Sequence, residues 1–143
     1  MAKNNINQMN NESRPGPLTG VRVLDLTSMI SGPVATMMLA DQGADVIKVE
    51  PLSGDLVRGA GPNRSGITSM FVSSNRSKRS LALDLKKDEG KKVLIELIAE
   101  ADVFVQNFRP GTIDRMGFGE DFVRSVRGDI VSVSYTHLRA HET

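Results

Sequence analysis

Cysteine is absent from the 143 residues, which removes disulfides, thiolate zinc sites and a cysteine nucleophile. A reducing compartment is compatible with that absence. Tryptophan is also missing, tyrosine occurs once, and aromatic residues total 4%, so any core has to be built from Val, Leu, Ile, Met and Ala. Neither sign of charge is in excess: 18 Lys and Arg stand against 17 Asp and Glu, a net charge of +1. A protein that coats nucleic acid would be clearly basic, whereas a phosphate-bearing small molecule needs only a few local cations. No apolar run reaches the length of a membrane span, and residues 1–17 lack the apolar stretch of a signal peptide. The expectation is a soluble cytoplasmic protein with no nucleic-acid or membrane partner.

What is present reads as one α/β unit. Residues 1–16 are rich in Asn, have little to bury and are expected to be a disordered leader. Val21-Arg22-Val23-Leu24-Asp25-Leu26 is short, mostly apolar and β-branched, the pattern of a buried strand. Pro33 suits the first turn of a following helix, which runs through Ala40 and ends near Gly43, a C-cap. Residues 44–50 form a second strand. Strand, loop, helix, Gly and strand together predict a βαβ unit with parallel strands. Residues 51–74 are Gly-rich and show no period; they are expected to be a long loop with at most one short element.

Further strands are predicted over 80–85, 103–106 and 130–135, and a turn or short helix over 112–117. Helices are expected over 88–101 and 120–127. In the first of these, Val93, Leu94, Leu97, Ile98 and Ala101 share one face. The whole is a Rossmann-like open parallel sheet with flanking helices, spanning residues 17–134.

Four segments could carry chemistry. The turn Thr27-Ser28-Met29-Ile30-Ser31-Gly32-Pro33 joins a strand to a helix N-terminus, where free N–H groups favour anions and where open α/β sheets bind ligands. It is neither a G-x-G-x-x-G fingerprint nor a P-loop, so a plain connection is the alternative. Gly54-Asp55-Leu56-Val57-Arg58 reads as a solvated turn in which Asp55 and Arg58 can pair. Arg76, Lys78 and Arg79 cluster in four residues and match a phosphate, although a short run of charge is more often a solvated loop. Asn107-Phe108-Arg109-Pro110-Gly111 begins at a strand end, with Asp114-Arg115-Met116-Gly117 behind it. There Asn107 can hydrogen-bond, Phe108 can stack on a base, and Arg109 or Arg115 can hold phosphate.

Taken in order, Leu18-Thr19-Gly20-Val21-Arg22-Val23-Leu24-Asp25-Leu26, Ser31-Gly32-Pro33 and Gly43-Ala44-Asp45-Val46-Ile47-Lys48-Val49-Glu50-Pro51 resemble the opening of the family III CoA-transferases. That group includes formyl-CoA and carnitine CoA-transferases and α-methylacyl-CoA racemases. Gly54-Asp55 with Arg58, Asn75 with Lys78-Arg79-Ser80, Leu83-Asp84-Leu85-Lys86, and the Asn107–Gly117 segment continue the match.

The resemblance implies coenzyme A or an acyl-CoA as substrate, a carboxylic acid as acceptor, no metal, and an interlocked homodimer for the full-length protein. It places Ile30 and Ser31 along the CoA site. Leu83, Asp84 and Lys86 border the adenine and phosphates, Asn107, Phe108 and Arg109 lie over the nucleotide, and Arg115 is near the phosphates. Pro51 stands where some members carry a CoA-touching Arg. Transferases of the group use an aspartate nucleophile that passes through acyl anhydride and aspartyl-CoA thioester stages, and racemases move an α-proton with a pair of bases. Neither catalytic set is visible, and the aspartate is expected downstream of residue 134. An acyl-CoA racemase fragment and a non-catalytic nucleotide-binding module are the alternatives.

Residues 135–143 depart abruptly from the family pattern and are expected to be a non-native tail. His137 and His141 lie four apart, but a zinc-protease motif would need a Glu between them and a third ligand, so no metal is expected.

Overall fold

The computed structural model describes residues 16–135; residues 1–15 of the expected leader and residues 136–143 of the expected tail, His137 and His141 among them, lie outside the described residues. The first strand, β1 (Arg22–Asp25), is followed by α1 (Ser31–Asp41) and β2 (Asp45–Glu50). Next come a 3-10 turn (Leu56–Gly59), the two-residue strands β3 (Asn63–Arg64) and β4 (Ile67–Thr68), and α2 (Ser69–Asn75). The remainder is β5 (Arg79–Ala82), α3 (Asp88–Glu100), β6 (Val103–Gln106), α4 (Thr112–Arg115), α5 (Glu120–Val126) and β7 (Val131–Ser134).

Five strands form one parallel sheet in the order β5-β2-β1-β6-β7. The chain starts in the middle, runs outward through β2 to β5, then returns to the other side of β1. That reversal is the switch point of a doubly wound sheet, and it lies between β1 and β6. The predicted βαβ unit is therefore β1-α1-β2, closed by Gly43 at a φ of +97°. A side chain there would be strained.

Alternation along the strands divides the core. Leu24, Leu26, Ile47, Val49 and Phe104 face one side, where Leu94 and Ile98 from α3, Ala101 just after it and Val123 from α5 cover them. Val23, Val46 and Val105 face the other side, against Ala40 and Ala44. Each face is apolar because a parallel sheet is covered by helices on both sides.

Three expectations are corrected. The stretch 51–74 is not a loop with one element: it folds into the 3-10 turn, a β3–β4 hairpin and most of α2. Its elements are too short to show a period, and side chains hold them. Asp55 caps the 3-10 turn by accepting from Val57 N, and Thr68 caps α2 by accepting from Phe71 N while its hydroxyl donates to Val57 O at 2.7 Å. On α3, Val93 is exposed rather than core-facing, and Ile95 packs on the core instead. The buried stripe is centred on Leu94, Ile98 and Ala101, and Val93 falls on its edge. The third strand also stops at Ala82, so Leu83, Asp84 and Leu85 follow it.

Candidate functional site

Because the five strands are parallel, the loops after β1, β2, β5 and β6 all emerge on one edge of the sheet. Every segment singled out in the sequence reaches that edge, apart from Arg76 and Arg79. These two sit at the other end of β5, where they pair with Asp41 and Asp45.

The edge rests on buried charge. On the face covered by α1, the strands turn from apolar to charged as they approach their carboxyl ends: Val23 to Asp25, Val46 to Lys48 and Glu50. All three charged residues are buried. An unpaired charge there would be costly, and each is paired.

Asp25 Oδ2 accepts from Lys78 Nζ at 2.9 Å and from Thr36 Oγ1 at 2.7 Å, and its Oδ1 accepts from Thr27 N and Oγ1. Lys78 Nζ also donates to Pro33 O and Asn75 Oδ1, both at 2.8 Å. Burial pushes the Lys78 ammonium below the ordinary lysine value, and the Asp25 charge opposes it. Lys48 Nζ lies 2.9 Å from Asp55 Oδ2 and donates to Thr27 O at 2.8 Å.

Glu50 accepts a two-pronged contact from Arg58, both arms at 2.7 Å, together with Ser80 Oγ and Asp55 N. The Arg58 guanidinium in turn lies 3.8 Å from the centre of the Phe71 ring. Asp55 and Arg58 therefore do not pair with one another; Lys48 and Glu50 are closer partners. The reading of 54–58 as a solvated turn is corrected for the same reason, since Asp55 and Val57 are buried. Sequence reasoning missed this network, although a signal was present: charges inside strands buried on both faces must find partners.

The network holds the turn after β1. Met29 adopts a φ of +70°, uncommon for a residue with a side chain, and its N–H donates to Asp55 Oδ1 at 3.2 Å. A Cβ at Gly32 would lie 2.5 Å from Thr27 Cβ, so the chain folds back on itself in a way only glycine allows. Met29 and Ile30 are left exposed, at 46% and 49%, and Ser31 opens α1 beside them.

Across the switch point stands the loop after β6. Asn107 Oδ1 accepts from Ser28 N at 2.9 Å, and Asn107 Nδ2 donates to Ser28 O at 2.8 Å. Phe108 N donates to Gln106 Oε1, and the Phe108 ring packs partly buried against the core. Arg109 is exposed. A cleft of ≈ 340 Å³ lies beside it, bordered by Gln106, Phe108, Arg109, Ser132 and Ser134. Arg115 is exposed on α4 and donates to Thr112 Oγ1 at 3.1 Å. At the far end of the same edge, Leu83 N donates to Glu50 O, and Asp84 accepts from Lys86 N in a local turn. The Lys86 side chain is exposed.

Among the described residues, no group of three or more His, Asp or Glu side chains could hold a metal ion, and no helix is long and apolar enough to cross a membrane.

The sequence profile described as CoA-transferase family III matches residues 18–138. Formyl-CoA:oxalate CoA-transferase of Streptomyces avermitilis is 44% identical over 134 residues, covering 87% of this chain and 33% of that protein. Succinyl-CoA:mesaconate CoA-transferase of Haloarcula hispanica is 43% identical over 129 residues, covering 87% and 32%. Among solved structures, a CAIB/BAIF family protein from Brucella suis superimposes with a TM-score of 0.81 at 35% identity, over 85% of this chain and 33% of its own. The chain thus spans about a third of the length of the relatives it matches.

Proposed function

The chain belongs to CoA-transferase family III, and we propose that residues 17–134 are the coenzyme-A-holding part of an enzyme that moves CoA from an acyl-CoA to a carboxylic acid. The observation that carries this reading is the distribution of cations on the carboxyl edge. Arg58 and Lys78 are committed to Glu50 and Asp25. Lys86, Arg109 and Arg115 have no carboxylate partner among the described residues and stand exposed beside the strand-end loops. Guanidinium and ammonium groups in that position suit the phosphates of a phosphoadenosine.

In this reading the exposed turn Met29–Ser31 borders the thiol-bearing arm, Leu83 and Asp84 flank the adenosine end with Lys86, and Phe108 and Arg109 cover the nucleotide. The nucleophilic aspartate is proposed to lie in the portion of the complete enzyme beyond these residues. It would attack the thioester carbonyl, release CoA as thiolate and leave an acyl-aspartyl anhydride. The two relatives named above differ in both donor and acceptor by their names, yet match this chain about equally. Overall identity across this third therefore does not single out one donor–acceptor pair.

The test is an assay of the complete gene product with acyl-CoA donors and carboxylic acids. Transfer predicts a new thioester that forms only when both are present, and loss of activity when hydroxylamine traps the activated aspartate. Exchange of the α-proton without CoA transfer would overturn the proposal in favour of a racemase.

A further inference from the structure

Beyond β1 and β6, the parallel ladder stops: its last register pair is Asp25 with Val105, extended by Leu26 N donating to Val105 O at 2.8 Å. The two chains then part to open the switch-point crevice. Just there a side chain takes the place of a strand. The Asn107 amide faces the Ser28 peptide and exchanges two hydrogen bonds with it, accepting at 2.9 Å and donating at 2.8 Å. That reciprocal pattern is what a neighbouring strand would supply, and it uses the donor and the acceptor of the amide at once.

We propose that Asn107 is a positioning residue for coenzyme A. Its side chain holds the Ser28 main chain, sets the width of the crevice and the aim of Met29, Ile30 and Ser31, and acts on the ligand through that turn. The inference rests on the CoA-binding reading and refines it, since Asn107 was expected to touch the nucleotide with the same amide. Asn107 is suited to the role by reach and by chemistry. Aspartate has the same shape, but its anion cannot donate to Ser28 O and would face that carbonyl with like charge. Once protonated, an aspartic acid again offers one donor and one acceptor.

The other charges near the turn are Asp25, Lys48, Asp55 and Lys78, joined in pairs at 2.9 Å, and the exposed Arg109 on the β6 side. They are common to wild type and variant, so the ratio of the two at each pH isolates position 107.

The experiment is calorimetric titration of the chain with CoA between pH 8 and pH 4.5, for wild type, Asn107→Asp and Asn107→Ala. At pH 8 Asn107→Asp is expected to bind about tenfold more weakly or worse, and the deficit narrows as the new carboxyl protonates. Asn107→Ala stays weak at every pH. A deficit in Asn107→Asp that does not change with pH, or wild-type affinity in either variant, overturns the proposal. Hydrogen exchange of the Ser28 amide without ligand separates this from the wider reading. Exchange in Asn107→Ala, which removes the acceptor of the Ser28 N–H, should be at least about tenfold faster at pH 8 than in wild type, with the amides of Leu24 and Asp25 unchanged. Equal Ser28 rates overturn the positioning role. A wild-type chain that ignores CoA removes the CoA-binding reading and the ligand half of this one.

Discussion

Replacing Lys78 with methionine should lower the unfolding free energy by about 3–5 kcal/mol, the range for breaking a buried ion pair from one side. Lys78 and Asp25 side chains are 1% and 0% exposed. The ammonium uses all three of its donors, on Asp25, Pro33 O and Asn75. Methionine fills a similar volume but leaves the Asp25 carboxylate buried without its counter-charge, and strips one partner from the first turn of α1 and one from the end of α2. The comparison is Arg76→Ala, which removes the Arg76–Asp41 pair, 52% and 34% exposed. A surface pair of that kind is worth ~0–1 kcal/mol. Urea unfolding of both variants decides the matter: equal, small losses would mean that the buried network does not hold the fold.

Acid should undo the neighbouring knot in a defined window. Burial acts to raise the Glu50 pKa, but the Arg58 hydrogen bonds, the Asp55 N–H, the Ser80 hydroxyl and the Arg58 charge outweigh it, leaving the pKa at about 2 instead of 4.5. A carboxyl whose folded value is depressed contributes stability that is fully present above its unfolded value and is lost as pH falls through the folded one. The contribution here is about 3 kcal/mol, and it drains between pH 4.5 and 2. Glu50→Gln should show a smaller slope of stability against pH across that window, while being less stable than wild type at pH 7. Identical slopes would contradict the assignment. Asp129 is also lowered by Arg127, but both sit at the exposed base of β7 and remain in the Glu50→Gln variant.

The strands and long helices were readable because each carries a period or a run that burial imposes. Val103–Gln106 has the bounds expected of it, and α1 starts near Pro33 and ends before Gly43. The fold between β2 and β5 was not readable. Strands of two residues and a four-residue turn have too few positions for any pattern, and what specifies them is a set of side-chain caps and a half-buried arginine reaching back to Glu50. The same physics hid the roles of the cations. Arg76, Lys78 and Arg79 form the densest basic run of the motif, yet all three face aspartates that are remote in sequence. Lys86, Arg109 and Arg115 look isolated on paper, and in the fold they stay exposed beside the strand-end loops. Asn107 was recognised as a polar group at a strand end, but only the approach of β1 and β6 shows that Ser28 occupies it.

The central claim is that the carboxyl edge of this sheet receives coenzyme A, and amide chemical-shift mapping of the chain during titration with CoA tests it most directly. The account predicts saturable shifts confined to Met29–Ser31, Leu83–Lys86, Asn107–Arg109 and Arg115, with residues at the opposite edge, such as Arg22 and Asp102, unmoved. A folded chain whose spectrum is indifferent to CoA, or shifts that gather away from the switch point, would contradict it.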